Sequence, residues 1–168
     1  PHGHETAIGN NELYQDKNWP EQERIHASKI TLLDKQIGRM ITKLETIGAL
    51  DNTLILFTSD NGPHVEGHDA EFFDSNGMLK GVKRDVYEGG IRVPLIFRWK
   101  NKIEGGQWSD IPVDCSDILP TFTDISGYDT KEIIAKNDLD GRSITPLLSD
   151  INNKKQAYKK DTRYWHYP

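Results

Sequence analysis

Apolar residues along this chain follow two different patterns, and each predicts a different element. Between Glu21 and Leu50, "EQERIHASKITLLDKQIGRMITKLETIGAL", the positions Ile30, Leu33, Ile37, Met40, Ile41, Leu44 and Ile47 recur at steps of three and four. That spacing lines one face of a helix with apolar groups. Glu and Gln crowd its start, where the positive end of the helix dipole favours them, and Gly48 stands where a left-handed cap closes a helix. After a short turn, Thr53–Thr58 ("TLILFT") is apolar and β-branched, which predicts a buried strand. A second strand is predicted over Ile91–Trp99, "IRVPLIFRW". Pro94 has no N–H for a ladder and puts that strand at an edge or a bulge. "SDILPTFTDISG" predicts a short helix capped by Ser116, with Pro120 in its early turns and Gly127 at its end.

The segments between these elements carry no period. Residues 1–20 are rich in Asn, Gly and Pro and read as a long loop. Residues 62–90 hold many Gly, Asp, Glu and Asn residues, and loops beyond about 12–15 residues inside a domain are usually functional or disordered. "LDGRSITPLLSD" reads as a polar connection and the terminal "TRYWHYP" as strand-like. Helix, turn, strand, crossover and strand together predict an α/β protein with a mixed sheet flanked by helices. In such sheets ligands collect beyond the carboxyl ends of the strands. Asp60 and Asn61, in "SDNGPH", occupy that place.

Composition narrows the function classes. A net charge of −5 gives no electrostatic footprint for nucleic acid. No apolar run approaches the roughly 18 residues of a membrane span. The single cysteine, Cys115, rules out an internal disulfide, and its neighbours make it a structural or incidental thiol. The chain opens at Pro1 without a leader pattern and closes on the aromatic "RYWHYP", so both ends read as cuts in a longer protein.

Taken singly, the polar residues are ambiguous. Asp-Asn-Gly is good turn chemistry, because short polar side chains bond their own backbone. It also offers a carboxylate and an amide carbonyl to a hard cation, although Ca²⁺ takes about six to eight oxygens and these two residues supply at most three. Lys83, between Lys80 and Arg84, is either a solvated charge or the partner of an oxyanion; Gly81, Gly89 and Gly90 would let backbone approach such a ligand, or merely mark a strand entry. His64 and His68 without thiolate or carboxylate spacing are a weak transition-metal signal, and His2 has no assignable role from its surroundings.

In combination they are specific. "DNTLILFTSDNGPH", "LKGVKRDVYEGGIRVPLIFRW", "SDILPTFTDISG" and "LDGRSITPLL" resemble, in order and spacing, the sulfatase family, over about residues 24–168. The resemblance implies the alkaline-phosphatase-like α/β fold. Residues 1–145 would be the C-terminal half of the catalytic domain, and residues 146–168 the start of a small C-terminal α+β subdomain. It implies sulfate-ester hydrolysis, with Asp60 and Asn61 as two ligands of an active-site Ca²⁺ and Lys83 on the sulfate group. It also places His2 of "PHGHE" at the leaving-group oxygen and His64 among the substrate-binding residues. The expected partner is a sulfated small molecule or glycan, the expected location periplasmic, secreted or lysosomal, and the oligomeric state is open. The family's nucleophile is a formylglycine made within C-x-P-x-R or S-x-P-x-R, and neither motif occurs in the 168 residues. Formylglycine is therefore expected in a missing N-terminal segment, and the chain alone is expected to be inactive. Two alternatives stay open: a Zn²⁺- or Mn²⁺-dependent phosphatase or phosphodiesterase of the same superfamily, and an inactive acidic-glycan-binding homologue. Asn61 argues against the first, since those metals favour imidazole beside carboxylate.

Overall fold

The computed structural model describes residues 11–149, and the helix announced by the apolar spacing is α1 (Glu21–Thr46). It ends as expected: Gly48 adopts φ +68°, and the Ala49 N–H turns back to the Leu44 carbonyl at 2.9 Å. Its buried residues, however, are Glu23 and Ser28, whereas Ile30, Leu33, Met40 and Ile47 of the apolar stripe stay exposed. Residues 11–20, ahead of α1, carry structure of their own where a loop was expected. Asn11–Tyr14 forms a 3-10 turn, Tyr14 stacks on Trp19 at 5.6 Å, and the Tyr14 hydroxyl shares a 2.7 Å hydrogen bond with Thr31.

Strand β1 (Ile55–Thr58) begins two residues later than its apolar run. Leu50–Asn52 coils into a 3-10 turn, and the Thr53 hydroxyl donates back to the Ala49 carbonyl at 2.8 Å, which holds Thr53 out of the strand. The residues expected to open the second strand take a different form. Glu88–Ile91 is a helical turn, α2, whose residue 92 N–H returns to the Glu88 carbonyl, and β2 covers only Leu95–Arg98, directly after Pro94. The two strands pair antiparallel, Ile55 opposite Arg98 and Thr58 opposite Leu95. Among the described residues they form one two-stranded sheet, and irregular chain plus α2 joins them in place of a helical crossover.

Contacts divide the chain at Trp99 and Lys100 into two compact units, and the second has its own polar spine. Helix α3 (Ile118–Ile125) follows a 3-10 turn over Cys115–Asp117. The cap is Asp114 rather than Ser116: the Asp114 carboxylate accepts the Ser116 N–H at 2.7 Å, and Asp117 accepts the Asp114 N–H at 3.2 Å in return. Ser116 lies inside the turn, and its own hydroxyl donates to the Asp114 carboxylate, so the cap falls two residues earlier than the sequence placed it. Asp117 is fully buried and also accepts the residue 142 N–H at 2.9 Å. Buried Thr121 donates to the Asp117 carbonyl at 2.6 Å and accepts the Ile144 N–H at 3.0 Å, fixing residues 142–144 against α3. Ile144 and Leu147 supply the apolar core beside Pro120. Two further helices follow, α4 (Thr130–Asn137) and α5 (Thr145–Ser149), the second inside the stretch that reads as a polar connection. Asp129 starts α4 by accepting two N–H groups, from Lys131 and Glu132. The division expected after residue 145 falls within α5, and "TRYWHYP" lies outside the described residues.

Candidate functional site

The carboxyl end of β1 runs straight into the pair singled out in the sequence. Asp60 is exposed, and its carboxylate makes no hydrogen bond or ion pair with another described residue. The Asn61 amide nitrogen donates to the Gly62 carbonyl at 3.2 Å, and the Ser59 hydroxyl donates to the Asn61 carbonyl at 2.9 Å. With its nitrogen committed to a carbonyl, Asn61 keeps its amide oxygen as the free end. A carboxylate and an amide oxygen are the hard donors that Ca²⁺ takes, so these residues fit that ion as two of its ligands. Among the described residues no group of three or more His, Cys, Asp and Glu side chains is arranged to hold a metal.

Glycine lets this tip meet the loop of Lys83. The Gly62 N–H donates to the Gly90 carbonyl at 2.9 Å and the Lys83 N–H to the Pro63 carbonyl at 2.8 Å. A β-carbon on Gly62 would sit 1.9 Å from the Gly89 carbonyl oxygen. Gly89 and Gly90 are equally confined, one against the Gly81 carbonyl and the other against that of Asp85. Gly62, Gly89 and Gly90 therefore serve backbone-to-backbone packing. Two side chains that the sequence did not single out finish the knot. The Asn76 amide donates to the carbonyls of Leu79 and Gly81 at 2.7 and 2.8 Å, and the Asp85 carboxylate accepts the Val82 N–H at 2.9 Å.

Three basic side chains leave this loop, and two are occupied. Lys80 lies 4.0 Å above the Tyr87 ring, and Arg84 pairs with Glu66 at 2.6 Å. The half-buried Lys83 forms no ion pair with another described residue. His64 stands close enough to feel its charge. Burial, then the charges of His68 and Lys83, lower the His64 pKa from its ordinary value of 6.5, outweighing the opposing Glu66 carboxylate and backbone. Asp60, Asn61, His64 and Lys83 thus share one region, while His2 lies outside the described residues.

Beside His64 is a cluster that the sequence reading missed, because it joins residues of α1 to a loop about forty residues further along the chain. Glu23 of α1 is buried and accepts the Asp69 N–H at 2.6 Å, and its other carboxylate oxygen lies 3.9 Å from buried His68 Nδ1. His68 stacks on His26 at 4.0 Å and meets the His64 ring edge-on at 4.9 Å. The local signal was the polar face of α1: Glu23 and His26 lie three residues apart, on one side of the helix.

Comparison with known proteins gives this arrangement a setting. The sequence model of the family described as Sulfatase matches residues 5–128. The chain is 35% identical to human steryl-sulfatase over 146 residues, covering 85% of the chain and 24% of that protein. It is 34% identical to the N-acetylglucosamine-6-O-sulfatase of Bacteroides thetaiotaomicron over 152 residues, 89% of the chain and 24% of that protein. The chain thus spans about a quarter of the length of these curated relatives. Among solved structures, Ps i-CgsB in complex with k-i-k-neocarrahexaose superposes with a TM-score of 0.74 at 28% identity, over 88% of this chain and 31% of that one. BT4656 in complex with its substrate D-glucosamine-2-N,6-O-disulfate gives 0.61 at 32% identity, over 77% and 23%. These likenesses bear out the expected fold: the described residues are part of an alkaline-phosphatase-like α/β architecture. No helix among the described residues is long and apolar enough to cross a membrane.

Proposed function

Because this chain belongs to the sulfatase family, we propose that it forms part of a sulfuric ester hydrolase whose sulfate site lies between the tip of β1 and the Lys83 loop. The observation that carries this reading is the Lys83 ammonium. It is half-buried, without an ion-pair partner among the described residues, on a loop locked to the tip by Gly62 and Pro63. A positive group held in place before the substrate arrives stabilises developing oxyanion charge without reorganising, and such preorganised charge often lowers a reaction barrier more than any other effect.

Asp60 and Asn61 are the proposed Ca²⁺ ligands of the chain. When bound, the ion supplies positive charge against the oxygens of a sulfate ester. Lys83 donates its N–H groups to the sulfate and offsets its charge, and His64 binds the substrate beside it. His2 keeps the role the resemblance suggests, protonating the departing alcohol oxygen. The nucleophile is proposed to be a formylglycine hydrate contributed by sequence other than these 168 residues. The proposed substrate is a sulfate ester on a small molecule or a glycan, supported by relatives named for steryl and N-acetylglucosamine sulfates. The proposed location is an exported one: periplasm, exterior or lysosome.

Sulfate release from an aryl sulfate by the intact protein is the test. Wild type should hydrolyse the ester, and Lys83→Ala should lose about 10²–10³ in kcat/KM, the scale of one lost oxyanion contact. Wild-type hydrolysis of aryl phosphate but not aryl sulfate, or full activity in Lys83→Ala, would overturn the reading.

A further inference from the structure

His64 accepts a hydrogen bond from the Glu66 backbone N–H at its Nδ1 atom, at 3.1 Å. An N–H pointed at Nδ1 requires that nitrogen to be bare, so the neutral ring carries its proton on Nε2. Protonating Nδ1 would set two N–H groups against each other. The groups facing His64 mostly act in the same direction. Lys83 and His68 oppose a positive charge on the ring, while Glu66 favours one and is itself paired with Arg84 at 2.6 Å.

The ring is also held mechanically. His68 meets it edge-on at 4.9 Å and is itself fixed from behind by the stack on His26. Glu23 anchors the same segment by accepting the Asp69 N–H at 2.6 Å and placing its second oxygen 3.9 Å from His68 Nδ1. His68 is 8% exposed and Glu23 2%, so both are supports from which substrate is screened. Burying an imidazole and a carboxylate is costly unless they are paired, and here the Asp69 N–H and the approach of His68 to Glu23 offset that cost.

We propose that His64 serves the sulfate site as a neutral Nε2–H hydrogen-bond donor, and that His68 and Glu23 are positioning residues that hold it there. This rests on the sulfate-site reading above. A neutral donor recognises an anionic oxygen without gaining or losing a proton, so its contribution is flat across neutral pH. It discriminates substrates by the placement of an acceptor and leaves proton transfer to other groups.

¹⁵N NMR of the histidine and lysine side chains of the intact protein, with and without inorganic sulfate, tests the donor. The expected spectrum shows His64 as the Nε2–H tautomer at neutral pH, with that resonance shifting on addition of sulfate. An Nδ1–H tautomer or an imidazolium at neutral pH overturns the proposal, even if sulfate binds. The correct tautomer unmoved by sulfate, while Lys83 responds, overturns the donor role alone. If neither group responds, the sulfate-site reading fails with it. For the supports, His68→Phe keeps a ring between His26 and His64, and His68→Ala removes it. In the intact protein, His68→Ala should lose about tenfold in kcat/KM, and His68→Phe should recover most of it with an unaltered pH profile. His64→Gln, which keeps an amide N–H in place of Nε2–H, should outperform His64→Ala. Equal losses in the Phe and Ala variants, or in the Gln and Ala variants, would contradict the assignment.

Discussion

Gly62→Ala isolates the contact that brings the β1 tip to the Lys83 loop. Gly62 does not adopt a positive φ, so its backbone suits any residue and the added methyl group acts by bulk alone. That methyl would lie 1.9 Å from the Gly89 carbonyl oxygen and within 3.0 Å of the Gly90 α-carbon, both main-chain atoms that cannot rotate aside. The two segments must part by about 1 Å, which lengthens the Gly62–Gly90 and Lys83–Pro63 hydrogen bonds, now 2.9 and 2.8 Å. Overpacking costs about 1–3 kcal/mol, and two weakened hydrogen bonds add about 1 kcal/mol. A total of about 2–4 kcal/mol lowers Tm by roughly 5–15 °C in a chain of this size. Displacing Asp60 and Asn61 from Lys83 by about 1 Å costs roughly 10²-fold in kcat/KM. Thermal unfolding and sulfate release from an aryl sulfate measure the two effects. Gly105→Ala is the control, because nothing lies within 4 Å of its β-carbon. If Gly62→Ala melts and turns over like that control, the coupling of tip and loop is refuted.

Three other substitutions probe the rest of the molecule. Burial raises the Asp117 pKa, outweighing the lowering by the Arg142 N–H and charge. The folded state therefore holds this proton more tightly than the unfolded chain, a contribution complete below the unfolded carboxyl's pKa and lost as pH rises through the raised one. Asp117→Asn should remove that slope and, by losing an acceptor for the Asp114 N–H, cost about 1–3 kcal/mol, as read from Tm against pH for both proteins. Thr121→Val keeps the shape but leaves the Ile144 N–H without its acceptor, so the urea midpoint should fall by an amount worth about 1–3 kcal/mol with m unchanged. Gly38→Ala, inside α1 with nothing within 4 Å of its β-carbon, should raise stability by about 1 kcal/mol in the same assay.

Local signals in the sequence were reliable where local chemistry decides the outcome. The three- and four-residue apolar steps and Gly48 located α1, and Gly127, at φ +79°, closed α3 as expected. Boundaries moved where a side chain competed with the backbone. Thr53 turned back to Ala49, Pro94 delayed β2, and Asp114 captured a cap assigned to Ser116. Helix α4 was readable in "DTKEIIAKN", with Asp129 as cap, but its charged residues masked its two adjacent isoleucines. At the site, Asp60, Asn61 and Lys83 could be picked out because their motif is ordered along the chain. The closeness of Gly62 to Gly89 and the Glu23–His26–His68 cluster could not, since both depend on approaches between distant segments that no local period records.

The proposed chemistry depends most on the oxygens of Asp60 and Asn61 holding a divalent ion. Calorimetric titration of Ca²⁺ into the intact protein addresses this directly, with wild type compared against Asp60→Ala. One site should be filled in wild type, and the substitution should weaken it by about 10²-fold or more, as expected for losing a charged carboxylate from the ligand set. Equal Ca²⁺ affinity in the two proteins would contradict the assignment.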